Sequence, residues 1–176
     1  MTGAAAFVRN ARLDILSAND LGYALYSQAF DDPTHPTNLA RFVFLSAGAA
    51  GFYRDWDGIA RHAVGSLRAE TGRNPSDREL AELVDELSFG SEQFRSLWAV
   101  HDVTYYRSGI QPFRHPIVGD IDLDYDALEI ATDPGLTIVA YTAAPDSEAS
   151  KALCLLGNRL SPQQADPSAV DNVGES

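Results

Sequence analysis

The hydrophobic period of this chain changes along its length, and that pattern constrains its fold more than any other feature. Residues 6–10 and 12–18 are two short apolar segments, the second setting Leu13 and Ile15 against Asp14, and they read as an opening hairpin with Asn10-Ala11 near the turn. Asn19 can cap a helix carrying Leu21, Ala24 and Leu25, which the run Asp31-Asp32-Pro33-Thr34-His35-Pro36 ends. From 37 to 88 the apolar residues recur at helical spacing. Thr37 can cap a short helix bearing Leu39, Phe42 and Val43. Residues 57–71 put Ile59, Ala60, Ala63, Val64 and Leu67 on one face, with Gly72 where a left-handed cap is wanted. Ser76-Asp77-Arg78-Glu79 reads as a capping box before the stripe Leu80, Leu83, Val84 and Leu87. Ser91 then starts a helix with Phe94, Leu97, Trp98 and His101 on one face. Beyond Gly109 the pattern becomes alternation. Residues 112–118, 120–130 and 136–143 read as strands parted by Val118-Gly119 and Asp133-Pro134-Gly135, and residues 147–156 as a helix turning Ala149, Leu153 and Leu156 inward.

Two strands, a block of helices, three strands and a helix predict an α+β domain. The expected form is a roughly five-stranded antiparallel sheet, with about five to seven helices inserted between strands 2 and 3, a C-terminal helix, and helices on one face. Residues 1–160 form this domain. Residues 161–176, with two Pro, two Gln and three acids but no apolar stripe, are expected to be a disordered tail. One core of this size needs no disulfide or metal staple. The single cysteine, Cys154, excludes an internal disulfide, fits a reducing compartment and reads as an inert buried thiol in the apolar run 152–156. There is no long apolar run for a membrane span, and residues 1–17 carry Arg9, Arg12 and Asp14, which argues against a signal peptide. A cytoplasmic protein is expected.

Thirteen basic side chains stand against 25 acidic ones, giving a net charge of −12. A surface this acidic repels phosphates, so the chain itself is not expected to hold nucleic acid. Part of that acid lies in Asp120-Ile-Asp122-Leu-Asp124-Tyr-Asp126. As a calcium loop it fails, because Tyr125 stands where glycine is needed and Ala131 where glutamate is needed. As a strand it puts Ile121, Leu123 and Tyr125 inward and four aspartates in water. The histidines, His35, His62, His101 and His115, form no metal-ligand spacing, so no metal is expected. No nucleotide-cradling glycine loop or nucleophile elbow occurs, and no cofactor is expected.

Aromatic residues crowd between 42 and 113, among them Phe42, Phe52, Tyr53, Trp98 and Tyr105, interleaved with Arg41, Arg61, Arg95 and Arg107. Such a region is either an ordinary core with a charged rim or a concave apolar pocket with Arg or His aimed at an anionic head.

The segments Asn10-Ala-Arg-Leu-Asp-Ile-Leu-Ser-Ala-Asn19, Asn38-Leu-Ala-Arg-Phe-Val-Phe-Leu45 and Tyr53-Arg-Asp-Trp56 resemble the ligand-binding domain of MmyB-like transcription regulators. That family is a branch of the XRE helix–turn–helix regulators common in actinobacteria. Ser91-Glu-Gln-Phe-Arg-Ser-Leu-Trp98 with His101-Asp102-Val103, then Phe113-Arg-His-Pro-Ile-Val-Gly119 with Leu123-Asp-Tyr125, and Val139-Ala-Tyr-Thr-Ala-Ala-Pro145 extend the resemblance over about residues 6–157. It implies a PAS-like fold and a sensory, non-enzymatic domain with a fatty-acid-like ligand. Any DNA contact would come from a helix–turn–helix domain that is not in this sequence, which is either a fragment or a stand-alone sensor. The segment Tyr105-Tyr-Arg-Ser-Gly109-Ile-Gln is less basic than in relatives.

Burying a ten-carbon tail contributes about 8 kcal/mol gross, which association costs of ~4–15 kcal/mol offset. A charge-assisted bond to a head group can therefore decide binding. The pattern nominates Phe42, Trp98 and Tyr105 for the wall and His101 and Arg107 for the head group. Two other functions stay open: a module that forms a homodimer or other protein contact through its apolar helix faces, and a small hydrolase.

Overall fold

A computed structural model describes residues 3–31, 36–100 and 107–160. The strands are β1 (Ala5–Arg9), β2 (Ile15–Ala18), β3 (Ser108–His115), β4 (Gly119–Glu129) and β5 (Thr137–Thr142). The helices are α1 (Asp20–Leu25), α2 (Leu39–Leu45), α3 (Ala49–Phe52), α4 (Trp56–Arg73), α5 (Arg78–Gly90), α6 (Glu92–Ala99) and α7 (Glu148–Leu160), with a 3-10 turn at Ser27–Ala29. The five strands form one antiparallel sheet in the order β2-β1-β5-β4-β3. This is the α+β architecture expected, with the helical block between β2 and β3 and a helix at the C-terminal end.

The sheet has a dry face and a wet one because its strands alternate. Ala5, Phe7 and Arg9 on β1 are buried, as are Gln111, Phe113 and His115 on β3 and Ile121 and Leu123 on β4. Asp120, Asp122, Asp124 and Asp126 are exposed on the other side of β4, so the aspartate run is a strand. Arg54 meets Asp122 at 2.6 Å and Arg114 meets Asp120 at 2.9 Å, partly balancing that row.

The core between dry face and helices is aromatic. Tyr26 lies edge-on to Phe7 at 5.3 Å and to Phe113 at 5.9 Å between ring centres, and Phe113 is 5.1 Å from Phe52. Such edge-to-face pairs add to simple burial. His115 belongs here as a satisfied core residue. Its Nδ1 accepts the Ile117 amide at 3.1 Å, leaving Nε2–H to donate to the Ala24 carbonyl at 3.1 Å.

Several local expectations shift by one position. Asn19 and Ser91 cap their helices, accepting from the Gly22 and Phe94 amides. At α2, however, the cap is Asn38, not Thr37, and its carboxamide also donates to the Arg12 carbonyl and to Asp14, both at 2.8 Å. At α5 the cap is Asp77, not Ser76. Burial would raise its carboxyl, but the Leu80 amide and the Arg12 guanidinium together hold it below its ordinary value. Arg12 joins this helix end to the β1–β2 loop, meeting Asp77 at 3.1 Å and Glu79 at 2.6 Å. Gly72 does not end α4, which runs one residue further to Arg73; one helical glycine costs only about 1 kcal/mol. Cys154 is exposed, not buried, because Leu153 and Leu156 are the residues that α7 turns inward.

Candidate ligand cavity

The dry face of the sheet, α2 and α4 line a half-open cavity of about 280 Å³. Its floor is made by Phe7 and Arg9 of β1, Tyr125 and Ala127 of β4, and Val139 and Tyr141 of β5. Its roof is aliphatic, with Leu39 and Val43 from α2 and Ile59 and Ala63 from α4; His62 stands on the same turn of α4. Tyr26, the C-cap of α1, and Tyr53, just beyond α3, close one side. Ser108, Gly109 and Ile110 line the opposite side, where Ile110 is exposed.

Local sequence explains how these groups arrive. Asp55 caps α4 by accepting the Gly58 amide at 3.1 Å, which fixes the helix whose inward stripe carries Ile59, His62 and Ala63. Leu13 also faces the cavity and has a left-handed backbone at φ 70°. A leucine there is strained, and it is held because the Asn10 side-chain oxygen accepts the amides of Arg12 and Asp14 at 3.0 and 2.9 Å, while the Leu13 carbonyl accepts the Leu39 amide. At Gly109 a Cβ would lie 3.3 Å from the Tyr125 ring, so the small residue leaves room on that side.

The cavity is polar on one part of its floor. Tyr26 and Tyr141 share a hydrogen bond between their hydroxyls at 2.6 Å, and Tyr53 adds to it. Burial raises all three phenols, Tyr141 to about 12 even though the Tyr26 hydrogen bond and the nearby Arg9 charge pull the other way. Arg9 is only 5% exposed. Burial and the charge of Arg9 push His62 down to about 4, so its ring is neutral at pH 7. Among the described residues the site thus offers one buried cation, a neutral imidazole, four phenols, the Asp55 carboxylate and a larger apolar surface. Among the described residues no group of three or more His, Cys, Asp or Glu side chains stands close enough to hold a metal ion.

The sequence model of one family, the MmyB-like transcription regulator ligand binding domain, matches residues 1–156. The chain belongs to that family. This MmyB-like ligand-binding domain is therefore part of a regulator family and not of an enzyme family. No curated protein matches the chain. No helix among the described residues is long and apolar enough to cross a membrane.

Of the five residues nominated by pattern, the three that the structure describes, Phe42, Trp98 and Arg107, stand outside the cavity lining of this MmyB-like domain. Phe42 is buried against Phe52 and Tyr53, at 5.7 and 5.9 Å, behind the lining. Trp98 stacks on Phe94 at 5.4 Å under the Arg68 guanidinium, away from it. Arg107 is exposed beside Glu129 at 3.4 Å. His101 and Tyr105 lie outside the described residues. The lining instead includes Arg9, His62, Tyr26 and Tyr141, which the pattern does not nominate. A signal for Arg9 was present, since in Ala5-Ala-Phe7-Val-Arg9 it shares parity with Phe7 and so belongs to the dry face.

Proposed function

We propose that this domain is the sensory part of a helix–turn–helix transcription regulator of the XRE type, acting in the cytoplasm. It binds a fatty-acid-like or other small apolar ligand between the sheet and α4, and occupancy regulates DNA binding by a separate domain. The observation that carries this reading is the cavity of about 280 Å³, near the lower end of ordinary ligand pockets, with an aliphatic roof and few polar groups. The net charge of −12 supports the division of labour, because DNA contact then falls to another, basic domain.

The test is native mass spectrometry of the purified protein together with thermal melting in medium-chain acids and alcohols. Ligand at a hundred times its dissociation constant stabilises by about 2.7 kcal/mol, which melting detects easily. A protein that carries no apolar molecule and melts at one temperature in all of them rejects the reading.

A homodimerisation module is the second reading. It draws on the wet face of the sheet, where Val8, Ile138 and Leu128 stand side by side across three strands and Leu128 is exposed. Light scattering that finds a monomer at high concentration removes it.

A further inference from the structure

We infer that Arg9 is the anion anchor of the cavity, and that the ligand it takes is a monocarboxylate with an apolar body. This rests on the cavity being the ligand site.

A guanidinium has five N–H donors and is costly to bury without an anionic partner. Arg9 is 5% exposed, yet among the described residues no carboxylate lies within ion-pair distance of it. Its side-chain hydrogen bond among those residues runs from Nη1 to the Asn10 carbonyl oxygen at 3.3 Å. The acids nearby are occupied. Asp55 on the cavity wall caps α4, and Glu129, which shares a small void of about 30 Å³ with Arg9, meets Arg107 at 3.4 Å. Arg73, also at that void, is paired with Glu70 at 2.9 Å. One unmatched cation beside a cavity calls for one anion.

The charge balance selects a monoanion. Among the described lining residues, with His62 neutral, Arg9 is the one cation and Asp55, which caps α4, the one carboxylate, so a phosphate dianion would be poorly compensated while a carboxylate is matched by the bidentate geometry of the guanidinium. The lining is more apolar than polar, which suits a hydrocarbon body behind the anion, and octanoate is a simple probe with both parts. The carboxylate sits on Arg9 beside the phenols, and the hydrocarbon body lies against Leu39, Val43 and Ile59.

Isothermal titration of the full chain with octanoate and with octanol tests this. Wild type should bind octanoate about ten- to a hundred-fold tighter than octanol, the scale of a hydrogen bond to a charged group. Arg9→Gln should bring octanoate down to about the octanol level, and Arg9→Lys should recover part of the difference. Octanoate should also raise the His62 pKa, read by NMR, by bringing an anion next to it. Arg9→Gln binding octanoate as wild type does overturns the anchor and leaves the cavity reading standing. If Arg9→Gln does not fold, equal affinity of wild type for octanoate and octanol is enough to overturn it. Wild type that binds neither overturns the cavity reading and the anchor together.

Discussion

The hydroxyl of Tyr26, at the end of α1, meets that of Tyr141, on β5, at 2.6 Å although 115 positions separate them in the chain. Burial favours the neutral phenol at both and at Tyr53. A group whose folded pKa is raised stabilises the fold below its unfolded value and loses that contribution as pH rises. The window here opens at 10 and extends through about 12, where Tyr141 titrates. In a spectrophotometric titration, three of the seven tyrosines should stay silent at about pH 11 and ionise only as the protein unfolds. All seven ionising together near the ordinary value would place these phenols in water. Tyr141→Phe should cost about 1 kcal/mol.

His62 gives the opposite slope on the acid side. Its folded pKa is lowered from 6.5 to about 4 by burial and by Arg9, and burial lowers His115 as well. The neutral rings contribute fully above 6.5, and stability falls as pH drops from there toward 4. The loss from His62 is on the order of 2–3 kcal/mol. Asp77 and Asp120, held below 3.8, titrate under this window. Denaturant melts between these pH values should show a shallower slope for His62→Gln; an unchanged slope assigns the effect elsewhere.

Asn38 does three jobs while 3% exposed. Its oxygen accepts the Ala40 and Arg41 amides, and its nitrogen donates to the Arg12 carbonyl and to Asp14. Asn38→Ala should cost about 3 kcal/mol, more than an ordinary cap, because it also strips partners from the loop that holds Leu13. Asn38→Asp keeps the cap and loses the donor, so chemical denaturation should place it between the two. Equal losses for both would show that the two donor bonds matter and the cap does not, and an Asn38→Asp variant as stable as wild type would show that the cap alone matters.

Trp98 separates stability from binding. Its ring lies between Phe94 and the Arg68 guanidinium, 4.5 Å above the ring centre, and does not line the cavity. Trp98→Ala should lower stability by about 2 kcal/mol through lost packing and cation–π contact, with octanoate affinity within two-fold of wild type. A large loss of affinity in a variant that still melts cooperatively would put Trp98 in the ligand path.

Much of the fold was legible because alternation and helical spacing are properties of consecutive residues. The Asp120–Asp126 strand and the Leu80, Leu83, Leu87 stripe are such patterns. Caps slipped by one wherever two capping residues are adjacent, as at Thr37-Asn38 and Ser76-Asp77, since propensity cannot choose between neighbours of the same chemistry. The cavity was harder to read. It is assembled from β1, α2, α4 and β5, whose residues adjoin only in the folded chain. Local pattern points to the dense aromatic stretch around Trp98, which packs as its own stack, while Arg9 is a single charge on the apolar side of β1.

The pairing of Arg9 with Thr137 across β1 and β5 also fixes when the chamber can exist. The strand that carries Arg9 leaves the ribosome early, but its neighbour in the sheet is made more than a hundred residues later. At about 5–20 residues per second, β1 waits roughly 6–25 s, with Phe7 and Arg9 uncovered, before β5 arrives. Pairings of such long range form late. The chamber is complete only after the whole sheet has been synthesised, because its floor is closed by β5, the last of the five strands in chain order.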